Sequence, residues 1–197
     1  MTRMDRNNER LLVARLRVGE TGAFDDVYAE YRPRVFGFLL RMSRNRTLAE
    51  DLLDETWLRL VSHAVRLTPE TRIGPWLFTV ARNLYWSARR DSLVEETSAT
   101  ELPTLWPAPR PWPSPFDLAA ASELERRVEL ALATLSPSYR EVVLLVAHQG
   151  LTPSEAAVIC EISPEALRQR LSRARALLSQ RLQETPAIAA FTKGYAT

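Results

Sequence analysis

A chain of 197 residues with 46% hydrophobic content can build a core in each of one or two domains. Its net charge is only +2, which excludes bulk polyanion binding of the basic-tail kind, so any nucleic-acid contact must be local and shaped. Cys160 is the only cysteine and excludes an intramolecular disulfide; at the end of an apolar run it reads as a small core residue.

The charge is unevenly spread. Residues 1–94 carry 16 basic and 12 acidic side chains, residues 95–121 carry 1 and 4, and residues 122–197 carry 9 and 8. Of the 26 basic residues only Lys193 is lysine. Arginine suits planar, bidentate and stacked contacts, and a compositionally biased genome would produce the same excess. With neither a signal peptide nor an apolar run long enough for a bilayer, the chain reads as soluble and cytoplasmic.

In chain order, residues 1–6 are a polar start, and Asn7 or Asn8 can cap a helix to about Val18, interrupted by Gly19 and Gly22. Phe24, Val27, Tyr28 and Tyr31 then recur at helical spacing, as core aromatics rather than a cofactor box. Pro33 is expected to open a further helix carrying Val35, Phe36, Leu39, Leu40 and Met42. Thr47-Leu48-Ala49-Glu50 has the form of a capping box. In the helix that follows, Ala49, Leu52, Leu53, Thr56 and Leu60 can face a core, while Glu50, Asp51, Asp54, Glu55 and Leu58 lie elsewhere. A metal site is not expected from these four carboxylates, because no histidine or further carboxylate cluster accompanies them. They read as a solvated acidic face or a dock for a basic partner.

Residues 63–75 read as a loop. In the next helix, Trp76, Leu77, Val80, Ala81, Leu84 and Ala88 form one face, and Phe78, Thr79, Arg82, Tyr85, Trp86, Arg89 and Arg90 the other. Aromatics mixed with arginines provide what single-stranded nucleic acid requires, and a protein interface favours the same residues. Residues 91–117 read as a semi-rigid linker, with six prolines between positions 103 and 115 and two large side chains, Trp106 and Trp112. Asp117 can cap a helix to about Leu135, and Ser136-Pro137 starts another that Gly150 ends.

The stretch from Leu151 to Leu182 carries two helix starts in close succession. Thr152-Pro153-Ser154-Glu155 is a capping box with proline at the first helical position, and Ser163-Pro164-Glu165 repeats cap, proline and early acid. Two capped helices with a short turn between them read as a helix-turn-helix. At about 100° per residue, the second helix places Leu167, Leu171, Ala174, Leu178 and Leu182 on one side. Glu165, Arg168, Gln169, Ser172 and Arg173 fall opposite, where arginine can read guanine and glutamine adenine. Arg170, Arg175 and Arg181 lie off that central face and suit phosphate or solvent.

Two separated segments together resemble one family. AEDLLDETWLRL followed by PWLFTVARNLYWSARR resembles region 2 of bacterial RNA polymerase sigma factors of the sigma-70 family, and SPSYREVVLLVAHQGLTPSEAAVICEISPEALRQRLSRARALL resembles region 4. The short length is similar to the extracytoplasmic-function (ECF) group. The resemblance implies an all-α protein of two helical domains, a region 2-like bundle over 7–93 and a region 4-like helix-turn-helix domain over 118–183, joined by the Pro-rich linker 94–117 and ending in a tail, 184–197. It implies binding to core RNA polymerase and promoter DNA, commonly with an anti-sigma protein as regulator, and no cofactor. Asp51, Asp54, Glu55 and Leu58 would dock on the polymerase. Arg72, Trp76, Arg82, Asn83, Trp86, Arg89 and Arg90 would capture the melted minus-ten element. Glu165, Arg168, Gln169, Ser172 and Arg173 would read the minus-thirty-five element. Three departures stand out: Glu161 occupies a turn position where the family often has glycine, RNRTL lacks the acid often seen before Ala49, and the linker is unusually rich in proline and tryptophan. The turn accommodates Glu161 if no positive φ is needed there.

A different class, a helix-turn-helix regulator that never joins the polymerase, would need a ligand or receiver domain in the N-terminal half, and no α/β pattern is present. An enzyme is not expected: there is no nucleophile–base pair, metal cluster or phosphate-cradling glycine loop, and His63 and His148 stand alone in the sequence.

Overall fold

The computed structural model describes residues 6–98 and 123–184, with side chains over 8–92 and 123–183. Trp106, Trp112, the Asp117 cap and the tail from Pro186 lie outside the described residues. The described residues form eight α-helices and no strand. The chain divides into two compact units, residues 1–107 and 108–197.

In the N-terminal unit α1 spans Arg6–Arg17, so Asn7 and Asn8 lie inside the helix rather than capping it. Gly19 ends it at φ +76, donating its N–H to Leu16 O at 3.0 Å. Helix α2 runs unbroken over Thr21–Ser43, with Gly22 in its first turn and Pro33 inside it. The expected break at Pro33 does not occur. A proline inside a helix costs about 3 kcal/mol, but Pro33 sits on the exposed side, and Ala29, whose carbonyl it frees, is exposed as well. Val27, Tyr31, Val35, Phe38, Leu39 and Met42 are buried as one stripe across the site, so packing outweighs the lost bond. Arg44 closes α2 in the left-handed region, with its N–H on Leu40 O at 2.8 Å.

Helix α3 spans Arg46–His63. Its cap is Asn45, which accepts the Leu48 N–H at 3.2 Å, two residues earlier than the Thr47 box suggests. Glu50 does not close the Thr47 box but pairs with Arg46, at 2.9 Å. A 3-10 turn, Ala64–Arg66, follows α3. Helix α4 spans Ile73–Ser98, so it starts three residues inside the expected loop and runs past residue 94. Helices α2, α3 and α4 pack on one another, and α1 packs on α2 and the 3-10 turn. Phe38 and Phe78 meet edge to face in the core, with centroids 5.6 Å apart.

The C-terminal unit contains α5 (Glu123–Thr134), α6 (Pro137–Val143) with a π-helical turn at Leu144–His148, α7 (Pro153–Cys160) and α8 (Pro164–Glu184). Helix α8 packs against the other three helices. Two buried arginines serve the C-terminal carbonyls that helices leave unpaired. Arg140 donates to Leu132 O, Ala133 O and Leu135 O at 2.8–3.0 Å, closing α5. Arg127 donates to Leu182 O in the last turn of α8, at 2.7 Å. Cys160 is a buried core residue.

The Thr152 box is realised in full: Glu155 N–H donates to Thr152 Oγ1 at 3.2 Å, and Thr152 N–H donates to Glu155 Oε2 at 2.8 Å. The turn departs from expectation, because Glu161 takes φ +56. The chain reverses there by bonding Glu161 N–H to Val158 O and Ile162 N–H to Ala157 O, which requires a left-handed residue. That conformation costs an L-residue about 1–2 kcal/mol, against about 0.5–1 kcal/mol for ordering a glycine. Glu161→Gly is therefore expected to stabilise the C-terminal unit by about 0.5–1 kcal/mol in denaturant unfolding. A lower midpoint would mean that the Glu161 side chain contributes more than its backbone costs.

Candidate promoter and polymerase interfaces

Helix α8 begins at Ser163, whose Oγ accepts the Ala166 N–H at 3.1 Å. Leu167, Leu171 and Ala174 are buried, while Glu165, Arg168, Gln169, Ser172 and Arg173 are all exposed. The sequence thus separates the two faces correctly. Glu165 organises its neighbours: it is ion-paired with Arg168 and accepts the Gln169 Nε2–H at 3.4 Å. The Arg168 guanidinium beside it holds the Glu165 carboxyl below its ordinary range. Of the outlying arginines, Arg170 is half-buried, and Arg175 and Arg181 are exposed.

The long α4 is less simple. Ile73, Leu77, Phe78, Ala81, Leu84 and Tyr85 are buried. Phe78 and Tyr85, expected on the outer face, are 0% and 4% exposed, because α4 packs on both α2 and α3 and buries a wide arc rather than one stripe. Trp76, expected on the core face, is only half-buried, its ring 6.3 Å from that of His63. Trp76, Asn83, Trp86 and Arg90 fall in one line at helical spacing, flanked by Arg82 and Arg89. Asn83, Arg89 and Arg90 are exposed, and Trp86 is half-buried, edge-on to Tyr85 at 5.4 Å. Arg82 donates to Asn83 Oδ1 at 2.9 Å. Arg72 lies at the start of the helix, its Nε 3.5 Å from Glu9 Oε2.

On α3, Asp51, Asp54 and Leu58 are exposed, and the half-buried Glu55 pairs with Arg59 at 2.9 Å. Asp51 and Asp54 have no ion-pair partner among the described residues. The surface also extends further than expected: Val61 and Val65, 59% and 66% exposed, continue the line of Leu58, 64% exposed. Their spacing from Leu58 was the available signal. Among the described residues no group of three His, Cys, Asp or Glu side chains can hold a metal ion. No helix among them is long and apolar enough to cross a membrane.

Comparison with known proteins gives the family. Residues 27–92 match the family Sigma-70 region 2, and residues 125–178 match Sigma-70, region 4. The chain is 38% identical to the RNA polymerase sigma factor CarQ of Myxococcus xanthus over 170 residues, 86% of this chain and 95% of that protein. It is 32% identical to the ECF RNA polymerase sigma factor SigM of Bacillus subtilis over 156 residues, 77% of this chain and 90% of that protein. Two solved structures share the fold, each with a TM-score of 0.65. CnrH, in complex with the cytosolic domain of CnrY, is 22% identical, with 92% of this chain and 99% of that chain covered. The sigma factor RpoE, in complex with the anti-sigma factor NepR from Bartonella quintana, is 24% identical, with 82% and 98% covered. The chain therefore belongs to the sigma-70 family, in its ECF group: it is a non-enzymatic transcription initiation factor that binds core RNA polymerase and directs promoter recognition.

Proposed function

We propose that the labour of initiation is divided among the three surfaces, and that the region 2-like and region 4-like units act as separate readers joined by the Pro-rich segment that follows α4. Helix α8 reads the minus-thirty-five element through Glu165, Arg168, Gln169, Ser172 and Arg173. Helix α4 and its start take the melted minus-ten strand through Arg72, Trp76, Arg82, Asn83, Trp86, Arg89 and Arg90. Asp51, Asp54, Glu55 and Leu58 dock on the polymerase. The observation that carries this reading is the outer face of α8, where five polar side chains stand exposed over a buried leucine stripe. The geometry suits base edges: a bidentate guanidinium or carboxamide reads a single base pair in the major groove.

The protein would act in the cytoplasm, where core polymerase and promoter DNA meet. An anti-sigma protein is the second partner we propose, since both solved relatives above were captured in complexes, one of them with a named anti-sigma factor. An acidic and apolar α3 surface shared with the polymerase would let such a partner act by occlusion.

The test is promoter-specific transcription by core polymerase supplied with the purified protein. Arg168→Ala or Arg173→Ala is expected to cost about 1–3 kcal/mol of discrimination for each lost base contact. Unchanged run-off transcription from a cognate promoter in both variants would count against this reading face.

A further inference from the structure

No sequence motif points to Glu9, yet this α1 carboxylate is only 6% exposed. Its Oε1 accepts the Ile73 N–H at 3.0 Å across 64 residues of chain, and its Oε2 lies 3.5 Å from Arg72 Nε. Arg72 stands at the cap position of α4, because its carbonyl accepts the Trp76 N–H at 2.9 Å. Arginine has no side-chain acceptor, so it cannot bond the free N–H groups of the helix start. Glu9 supplies the acceptor from another helix.

The segment before Arg72 is tied to itself. Thr68 N–H donates to Thr71 Oγ1 at 3.0 Å, and Thr71 N–H donates to Thr68 O at 2.9 Å. The joint between this turn and α4 is thus the Arg72–Ile73 linkage, and Glu9 holds both of its sides. A cleft of about 150 Å³ opens there, lined by Glu9, Arg10, Pro69, Glu70, Thr71 and Arg72. On the opposite side α2 closes in: a Cβ on Gly74 would lie 3.1 Å from the Tyr31 ring. The start of α4 is therefore fixed by three elements at once.

We propose that Glu9 is a positioning residue for strand capture: it sets the Thr68–Arg72 turn and aims the Arg72 guanidinium before DNA arrives. The inference rests on the reading of α4 as the minus-ten surface. A turn ordered in advance loses less entropy when the strand binds, and it presents one geometry to the bases instead of many. Removing Glu9 would leave the Ile73 amide without its acceptor and take the carboxylate from beside the Arg72 guanidinium, so that the turn and Arg72 are held less firmly and base choice relaxes.

The test uses holoenzyme assembled from core polymerase and the full chain, selecting from a pool of duplex promoters randomised over the minus-ten element. Glu9→Ala is expected to lower base selectivity there about ten-fold, the scale of one lost charge-assisted hydrogen bond. Glu9→Gln, which keeps an acceptor for Ile73 but not the charge for Arg72, should fall between Ala and the native protein. A merely structural role would lower the amount of active holoenzyme, while the folded remainder would select the same bases. Native preferences in both Glu9 variants, with altered preferences in Trp86→Ala, would overturn the role of Glu9 and leave the α4 reading intact. Native preferences in Trp86→Ala and Arg89→Ala as well would remove the α4 reading and the proposal with it. If Glu9→Ala does not fold, Glu9→Gln decides: altered preferences support the proposal and native ones overturn it.

Discussion

Arg140→Ala is expected to destabilise the C-terminal unit by about 3–5 kcal/mol, read as a fall in its thermal or denaturant transition. Arg140 is 4% exposed and its guanidinium serves three carbonyls, those of Leu132, Ala133 and Leu135. These carbonyls gather at the negative end of the α5 dipole, where a cation is favoured. Alanine leaves them facing a cavity with no donor, and such buried acceptors cost more than the bonds were worth. A small unit of ordinary stability has only about 5–15 kcal/mol in total, so α8 would lose much of the platform it packs on. Arg140→Lys keeps the charge but not the fork of donors and is expected to recover only part of the loss. A transition unchanged in Arg140→Ala would show that water replaces the guanidinium at no cost.

Phe78→Ala is expected to cost the N-terminal unit about 3–5 kcal/mol. The ring is fully buried on α4 and meets Phe38 of α2 edge to face. Truncation removes both the transfer free energy of the ring and the aromatic pair, and leaves a cavity between helices. The contrast with Trp86 makes the prediction specific. Phe78→Ala should lower the melting temperature and leave minus-ten base preferences native in the protein that remains folded. Trp86→Ala, at a half-buried surface position, should do the reverse. A stable Phe78→Ala protein with altered base preferences would return Phe78 to the outer face that its spacing alone suggests.

Phe78 also shows where sequence reasoning stops. A helical wheel divides a helix into two halves, but α4 is enclosed by α2 on one side and α3 on the other, and the width of its buried arc depends on both neighbours. Pro33 teaches the same lesson from the opposite direction. Its local signal is a helix start, and the packing of Val27, Tyr31 and Val35 around it overrides that signal at a site where water can reach the freed carbonyl. The Thr47 box is a third case: it does not form, because the left-handed Arg44 ends α2, Asn45 takes the cap of α3, and Glu50 pairs with Arg46 instead.

Helix α8 was legible throughout. Its cap, the buried Leu167, Leu171 and Ala174, and its exposed polar face depend on residues within a few positions of one another and lie where the spacing put them, while Leu178 and Leu182 further along are only half-buried. The Thr152 capping box was legible for the same reason. Glu9 and Arg127 were not, since each is an ordinary charged residue until the fold brings a distant helix end to it, and Arg140 was not because its role depends on how the α5–α6 turn folds back.

The sequence by itself determined the helical class, the two-unit division suggested by the linker composition, the family resemblance and the opposed faces of α8. Capping chemistry and helical periodicity act over one or two turns, so they are written in adjacent residues. Only the tertiary structure decided which rings of α4 are core and that Glu161 takes a left-handed conformation. It alone brought Glu9 to the start of α4 and Arg140 to the end of α5. Burial and the Glu9 contact depend on neighbours dozens of positions away, and the Arg140 and Glu161 geometries on how a turn closes, neither of which helical periodicity encodes.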